Sequence, residues 1–558
     1  MHKLGEFESR TKKKIITIDL DRLKIGSNNI GDFIIKIKKD QNVDYVINKV
    51  CDHAGGRLIL KGEKAVCPMH GWELDLKTLE YQDSHMIKEK IDFEYLEPNL
   101  ISFETMVDSH LVNPFCEKKA DEGVIIRWLN HACIYIKFKG TSIITDPWLI
   151  GPAFLSGWWL QETSTKDSLE LLKSADYLLI SHNHPDHLHL ETLSLVGKET
   201  NIIVGDFKSK STENYLSANG FTNLHILEFK EIYEITNGFQ LSILKSGDFR
   251  DDSGFYFSIN GQQVLMTVDC NFLNSHKLPV NIDVLMTSFA GGASGFPLCY
   301  INYDGQEKLK ILNRNRNAIK STVLDYVKLT KPKYYMPYAG MFNEKAERDL
   351  DIKEVNIKNS VYDYENMMIK NGVKFIEPSK NTLLELKNHK IIKRTIDIEF
   401  LQKESISHYI DNYKKSFKYN IKSVFDYFRA SGFAGAQILY IIPVDDKFDQ
   451  INDDIVYINF KERVFEKVGY QEIMEFTEGY NTMQMYVRKE IISCLIENML
   501  PWEDLSIGFQ MRVKRSPNVY ESDFWYHFTN VYINKEHIRY SPLCGSCTIV
   551  KQNPILNS

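Results

Sequence analysis

The feature that most constrains this chain is a pair of short segments near its start, Cys51-Asp-His53-Ala-Gly-Gly and Cys67-Pro-Met-His70-Gly-Trp, with thirteen residues between His53 and Cys67. Each half offers one thiolate and one imidazole, so two loops must converge on one shared centre. Zinc fingers also use two cysteines and two histidines, but they place the cysteines together and the histidines together. Here the two types alternate. Gly follows both halves and Pro68 lies inside the second, which suits tight turns. Nearby runs, FIIKI at 33–37, YVINKV at 45–50 and LIL at 58–60, are short, β-rich and broken by Gly and Asp, and they predict a small all-β module.

The alternating order fits a Rieske-type [2Fe-2S] cluster, in which two thiolates hold one iron and two histidines the other. Neutral imidazoles raise the potential of such a centre, and it passes single electrons. Cys51, His53, Cys67 and His70 are the candidate cluster ligands.

A chain of 558 residues is too long for one hydrophobic core. The pattern predicts an all-β domain over 1–106, an α/β domain over 107–394 and a C-terminal α+β region over 395–558. From Gly123 the strands lengthen to GVIIRWL, ACIYIKF and TSIITDPW, followed by a helix-like KDSLELLKSA and a buried strand, DYLLIS. A hairpin is expected at FYFSINGQQVLMTVD, where Asn260-Gly261 supplies the positive φ angles of a type I′ turn. Beyond residue 395, helical stretches such as YNIKSVFDYFRAS alternate with aromatic strands such as SDFWYHFTNVYI.

Directly after the apolar run Tyr177 to Ile180 comes Ser181-His182-Asn-His184-Pro-Asp186-His187. This matches the H-x-H-x-D-H signature of the metallo-β-lactamase fold, an αββα sandwich, in which the first two histidines serve one metal position and the Asp and last His the other. Asp269, closing VLMTVD, falls where that fold has a metal-bridging carboxylate. Asp146 in TDPW resembles the Asp that orients a ligand histidine. Two positions depart from the pattern. A ligand histidine is expected shortly before the hairpin, yet the chain reads Ser246-Gly-Asp248, so either Asp248 substitutes or the position is empty. The late histidine is replaced by Met336-Pro-Tyr-Ala-Gly340. More carboxylate and less imidazole, beside an electron-transfer cluster, shifts the expected metal from zinc to one or two non-haem irons. Hydrolysis needs no electrons. The D-x-x-H-x-x-x-x-H pattern of most Rieske oxygenases is missing, so His182, His184, Asp186, His187 and Asp269 are the candidate catalytic site.

Bulk properties exclude other classes. Sixty-eight basic against 74 acidic residues give a net charge of −6, and no basic block is long enough to follow a nucleic-acid backbone. No stretch approaches about 18 uninterrupted apolar residues, so neither a signal peptide nor a membrane span is expected. Nine cysteines, an odd and low number for this length, fit a reducing cytoplasmic setting.

Taken with Ser288-Phe-Ala-Gly-Gly-Ala-Ser-Gly-Phe-Pro297, Met336-Pro-Tyr-Ala-Gly340, Trp502-Glu-Asp-Leu-Ser-Ile-Gly-Phe-Gln-Met-Arg512 and Asp523-Phe-Trp-Tyr-His-Phe-Thr-Asn530, the two metal motifs resemble those of the CMP-N-acetylneuraminate monooxygenase (CMP-sialic acid hydroxylase) family over nearly the whole chain. The resemblance implies an iron-dependent monooxygenase that uses O2 to convert the N-acetyl group of a CMP-linked sialic acid to N-glycolyl. It also implies NAD(P)H-derived electrons delivered by a cytochrome b5-like or ferredoxin-like donor and its reductase. The chain has no G-x-G-x-x-G at a strand–helix junction, so a separate reductase is expected on sequence grounds too. Arg512 and Arg515 are candidates to meet the nucleotide phosphate or the sialic carboxylate, with Trp502 or Trp525 stacking on cytosine; a solvated basic turn and core aromatics are the competing reading. Gly291 to Gly295 read as a small-residue loop, and Cys544-Gly-Ser-Cys547 as two incidental thiols. Two other functions stay open: a Rieske-fed oxygenase on a different N-acyl or amino substrate, and a metallo-β-lactamase-type hydrolase with a redox-sensing cluster.

Overall fold

The computed structural model describes residues 1–52, 56–68, 71–82, 86–248, 250–449 and 454–531. His53, His70, Cys544 and Cys547 lie outside the described residues.

The central part of the chain forms two eight-stranded sheets. One runs, in spatial order, Leu224–Leu227, Ile202–Gly205, Tyr177–Ile180, Thr141–Thr145, Cys133–Phe138, Val124–Asn130, Thr382–Lys387 and Lys390–Thr395. Its parallel strands are continuous apolar runs because both faces are covered. The other sheet runs His2–Glu6, Glu231–Thr236, Phe239–Lys245, Ser253–Ile259, Gln262–Met266, Val284–Thr287, Tyr334–Pro337 and Lys374–Phe375. Ile126, Ile136 and Ile203 from the first meet Ile243, Phe257 and Leu285 from the second in one buried core. Helices Lys166–Ser174 and Ser211–Ala218 cover the first sheet through Leu172 and Leu216. Helices Gly305–Thr330 and Tyr362–Lys370 cover the second through Val323, Val327, Tyr364 and Met368. This is the αββα sandwich expected from the sequence, and Asn260 and Gly261 take the positive φ of the expected turn, 48° and 80°. The long helix Gly305–Thr330 starts at a capping box in which Asp304 and Glu307 satisfy each other's backbone N–H.

Between Glu8 and Val112 the regular elements among the described residues are strands and one short 3-10 helix, Leu20–Arg22. Cys51 and Cys67 are fully buried in one apolar cluster with Ile34, Tyr45, Leu74 and Tyr81. Each begins a closed loop: Cys51 donates its N–H to Gly56 O at 2.6 Å, and Cys67 to Trp72 O at 2.8 Å. The expected boundary at 106/107 falls inside the strand Leu100–Val112, which pairs along its length with Glu8–Asp19. The strand His2–Glu6 belongs to the second sheet of the sandwich, antiparallel to Glu231–Thr236. The β module is thus inserted after the sandwich's first strand. The largely exposed residues of Glu8–Asp19 carry no buried stripe, so nothing local marks them as a strand.

The C-terminal region forms a five-stranded sheet in the order Val464–Val468, Ile455–Asn459, Gln437–Val444, Asn481–Arg488, Met511–Ser516, with helices Ile421–Ala430 and Lys489–Glu497 packed on it. It shares a core with the sandwich in which Trp158 and Phe342 meet Trp502 and Leu505. A fully buried ion pair, Arg488 to Asp349 at 2.7 Å, crosses the junction. Gly157 and Gly508 face each other so closely that a Cβ on Gly157 would stand 2.0 Å from Gly508 O, and one on Gly508 would stand 2.2 Å from Phe154 O. Only glycine permits that approach. Among the described residues no helix is long and apolar enough to cross a membrane.

Candidate metal centre

The strand Tyr177–Ile180 ends at the rim of its sheet, and Ser181 to His187 turn back over it around Pro185, with His187 N–H bonded to His184 O at 2.9 Å. Asp146, at the end of the neighbouring strand Thr141–Thr145, holds this loop from below. Its carboxylate accepts from the Ser181 N–H and hydroxyl, both at 2.8 Å, and from His187 Nδ1 at 2.9 Å. With Nδ1–H committed to Asp146, Nε2 is the nitrogen of His187 left to face a cation. That Nε2 is buried without a hydrogen bond, 3.5 Å from Asp186 Oδ2 and 3.5 Å from Asp269 Oδ2. The Ser181 hydroxyl, its proton given to Asp146, accepts from His182 Nδ1 at 2.8 Å. His182 Nε2 then lies 2.8 Å from His184 Nδ1 and 4.0 Å from Asp252 Oδ1. His184 Nε2 meets Glu503 Oε1 at 2.8 Å, a carboxylate supplied by the C-terminal region across the Gly157–Gly508 contact. On the other side Asp186 Oδ2 meets His131 Nε2 at 3.1 Å, and Asp186 Oδ1 is buried without a partner.

Three groups of donor atoms lie within 4.8 Å of one another: His182, His184 and Asp252; His131, Asp186 and His187; and His182, His187 and Asp269. The third joins the first two, so the donors describe two adjacent cation positions with Asp269 between them. The fit is chemical as well as geometric. Buried polar atoms without partners are costly, and a cation would satisfy both His187 Nε2 and Asp186 Oδ1. Mixed imidazole and carboxylate donors suit iron or zinc.

Without a cation the histidines differ in charge: burial opposes the charged form of His187, yet Asp186, Asp269 and Asp146 push it well above its ordinary range. Burial, and then the neighbouring His187, push His182 down to about 3, so its imidazole is neutral and ligand-ready. Burial opposes the charged form of His184, yet Glu503 pushes it up to about 9. Burial would raise Asp269, but His187 and His182 beside it hold its carboxyl well below the usual range. Tyr338, from the Met336 to Gly340 segment, is fully buried within electrostatic reach of Asp146 and Asp269.

The centre opens into a cavity of about 550 Å³, lined by Asp186, Asp252 and Asp269 on one wall, Gly71 and Trp72 from the β module, and Glu503 and Arg515 from the C-terminal region. Tyr520 helps to close the contact, its ring 6.4 Å from Trp72.

Residues 125–317 match the beta-lactamase superfamily domain family. Over 523 residues the chain is 30% identical to the cytidine monophosphate-N-acetylneuraminic acid hydroxylase of Mus musculus, a match covering 86% of this chain and 88% of the mouse protein. The chain belongs to that hydroxylase family. The hydroxylase of Xenopus laevis is also 30% identical, over 86% of each chain. Among solved structures, CmlA, a diiron beta-hydroxylase from Streptomyces venezuelae, aligns with 48% of this chain and 54% of its own at 18% identity and a TM-score of 0.31, a likeness too low to carry an argument.

In this hydroxylase fold the predicted residues His182, His184, Asp186, His187 and Asp269 meet in one place. Asp248 does not join them. Its buried carboxylate is taken by Arg250 at 2.8 Å, and Asp252, where the strand Ser253–Ile259 begins, faces the centre in its stead. Of the residues proposed for substrate, Arg515 and Trp525 line the cavity. Trp502 is a core residue whose Nε1–H donates to Tyr427 at 2.8 Å, and Arg512 pairs with Asp351 at 3.1 Å. Sequence reasoning missed His131, Asp252 and Glu503. Asp252 lies four residues past the acid it chose, and Glu503 stands inside a segment it singled out for other reasons.

Proposed function

We propose that this chain hydroxylates the N-acetyl methyl group of a CMP-linked sialic acid: R–CO–CH3 + O2 + 2 e⁻ + 2 H⁺ → R–CO–CH2OH + H2O. Turning a methyl into a hydroxymethyl group is an oxidation of an unactivated, very weakly acidic C–H bond, so bound non-haem iron would supply O2 activation and a Rieske [2Fe-2S] cluster one-electron transfer. His182, His184 and Asp252 would hold one iron, and Asp186, His187 and His131 the other, with Asp269 shared. Asp146, Ser181 and Glu503 fix the ring orientations of the histidines. Cys51 and Cys67, with His53 and His70, would hold the cluster. Electrons would come from NAD(P)H through a cytochrome b5-like or ferredoxin-like carrier and its reductase, in the cytoplasm.

The observation that carries this reading is one cavity touching both the His/Asp centre and Gly71 and Trp72, the last two residues of the second cysteine segment. A hydrolase would have no use for that junction. Its contact within one chain supports electron delivery without a partner subunit. The test is incubation of the metal-loaded protein with CMP-N-acetylneuraminate, O2 and a reducing system, followed by mass measurement for one added oxygen. No mass gain with a full cluster would overturn the substrate; zinc in the second site with hydrolytic turnover would overturn the oxygenase.

A further inference from the structure

Three arginines face the cavity, and they differ in one respect. Arg250 is neutralised at 2.8 Å by Asp248 and at 3.1 Å by Asp252. Arg314 and Arg515 have no carboxylate partner among the described residues. Arg515 is only 8% exposed. Its guanidinium lies 4.4 Å over the Tyr300 ring and donates to Asn518 Oδ1 at 2.8 Å and to Tyr303 Oη at 3.3 Å, all neutral groups. Its backbone is pinned by Asn302 at 2.9 and 2.8 Å, so the side chain is held by construction. Arg314, on the helix Gly305–Thr330, reaches Gly71, where a Cβ would stand 3.7 Å from its Nη1, and its Nε is buried without a hydrogen bond. Burial pulls this guanidinium below its ordinary range. Both cations line the same cavity as the acidic metal centre.

Burying a positive charge without a counter-charge is expensive, and proteins tolerate it where a ligand brings the missing anion. We propose that Arg314 and Arg515 form an anion pocket that takes the two negative charges of the substrate, a carboxylate and a phosphodiester. This rests on the functional reading above, and it adds an orientation to it. In a CMP-linked sialic acid both charges stand on one ring carbon, and the N-acetyl group stands on the carbon directly across the ring. Anchoring the charges on Arg314 and Arg515 would turn the methyl group away from those arginines and into the cavity that Asp252 and Asp269 also line. Planar guanidinium forks suit both anions.

The experiment measures binding of CMP, cytidine and CMP-N-acetylneuraminate to the metal-loaded full chain by calorimetry, for wild type, R314Q, R515Q, R314Q/R515Q and R515K. Wild type binds CMP more tightly than cytidine. R314Q and R515Q each weaken CMP-N-acetylneuraminate about ten- to a hundredfold, as for loss of one charge-assisted hydrogen bond. The double variant weakens CMP by at least tenfold, and R515K restores most of the affinity lost in R515Q. Circular dichroism establishes that each variant is folded. CMP binding by R314Q/R515Q equal to wild type overturns the pocket, including the case where R314Q shifts only the cluster potential. Arginine-dependent CMP binding without oxygen insertion overturns the functional reading and leaves the pocket standing.

Discussion

The ion pair between Arg488 and Asp349 allows a stability prediction with a stated size. Both side chains are fully buried, and Asp349 is the only carboxylate among the groups bonded to Arg488, which otherwise donates to Gln510 Oε1 and to the carbonyls of Arg348 and Asp446 at 2.8 to 3.0 Å. Even with Asp349 beside it, burial pulls the guanidinium below its ordinary range. Asp349→Ala leaves a desolvated cation facing neutral acceptors, a change that costs about 3–5 kcal/mol. For a cooperative unit of roughly 200 residues, that lowers Tm by about 6–20 °C. Asp349→Asn keeps an acceptor and costs less. The double variant Asp349→Leu with Arg488→Met removes both charges and recovers most of the loss, since apolar replacement of a buried pair is often neutral. The assay is thermal unfolding followed by tyrosine and tryptophan signals, with metal retention measured on the same samples because the pair seats the region that carries Glu503. A loss under about 1 kcal/mol for Asp349→Ala would refute the argument that this charge is uncompensated elsewhere.

Three further outcomes are expected. Glu503→Gln weakens metal binding about ten- to a hundredfold by freeing the outer nitrogen of His184, as read by competition with a chelating dye; unchanged affinity removes Glu503 from the site. Asp252→Asn lowers the metal-to-chain ratio in elemental analysis, whereas Asp248→Asn leaves it intact and instead destabilises the loop around Arg250. In the chelated protein His184 is raised from 6.5 to about 9, so its bond to Glu503 contributes fully below pH 6.5 and is lost as pH rises through 9; Tm therefore falls between pH 7 and 10, and Glu503→Gln flattens that slope.

Much of the site could be read without coordinates, for a physical reason. His182, His184, Asp186 and His187 lie on one loop behind an apolar strand, so spacing alone brings them together. Asp269 was legible because it closes the second strand of a recognisable hairpin. Asp252 was not, because three acids share the stretch 248–252 and only the start of the strand at Ser253 decides which one faces inward. His131 sits at a turn with φ 39°, and nothing in its neighbours marks it as a ligand. Glu503 lies 319 residues from His184, and only the packing of Gly157 on Gly508 unites them. For the fold, parallel buried strands announced themselves as apolar runs, while the ribbon of Glu8–Asp19 with Leu100–Val112 did not, being solvated along most of its first strand.

The placement of His2–Glu6 bears on how the molecule is made. This strand precedes the β module in the chain, yet its partner, Glu231–Thr236, follows more than two hundred residues later, with His2 opposite Glu234. Pairing across such a separation is slow. The β module has no such wait, since Glu8–Asp19 meets Leu100–Val112 and closes on itself. A nascent chain would therefore complete its cysteine-bearing module while a short sheet edge trails in front of it, and the sandwich would be finished only when that edge is recaptured.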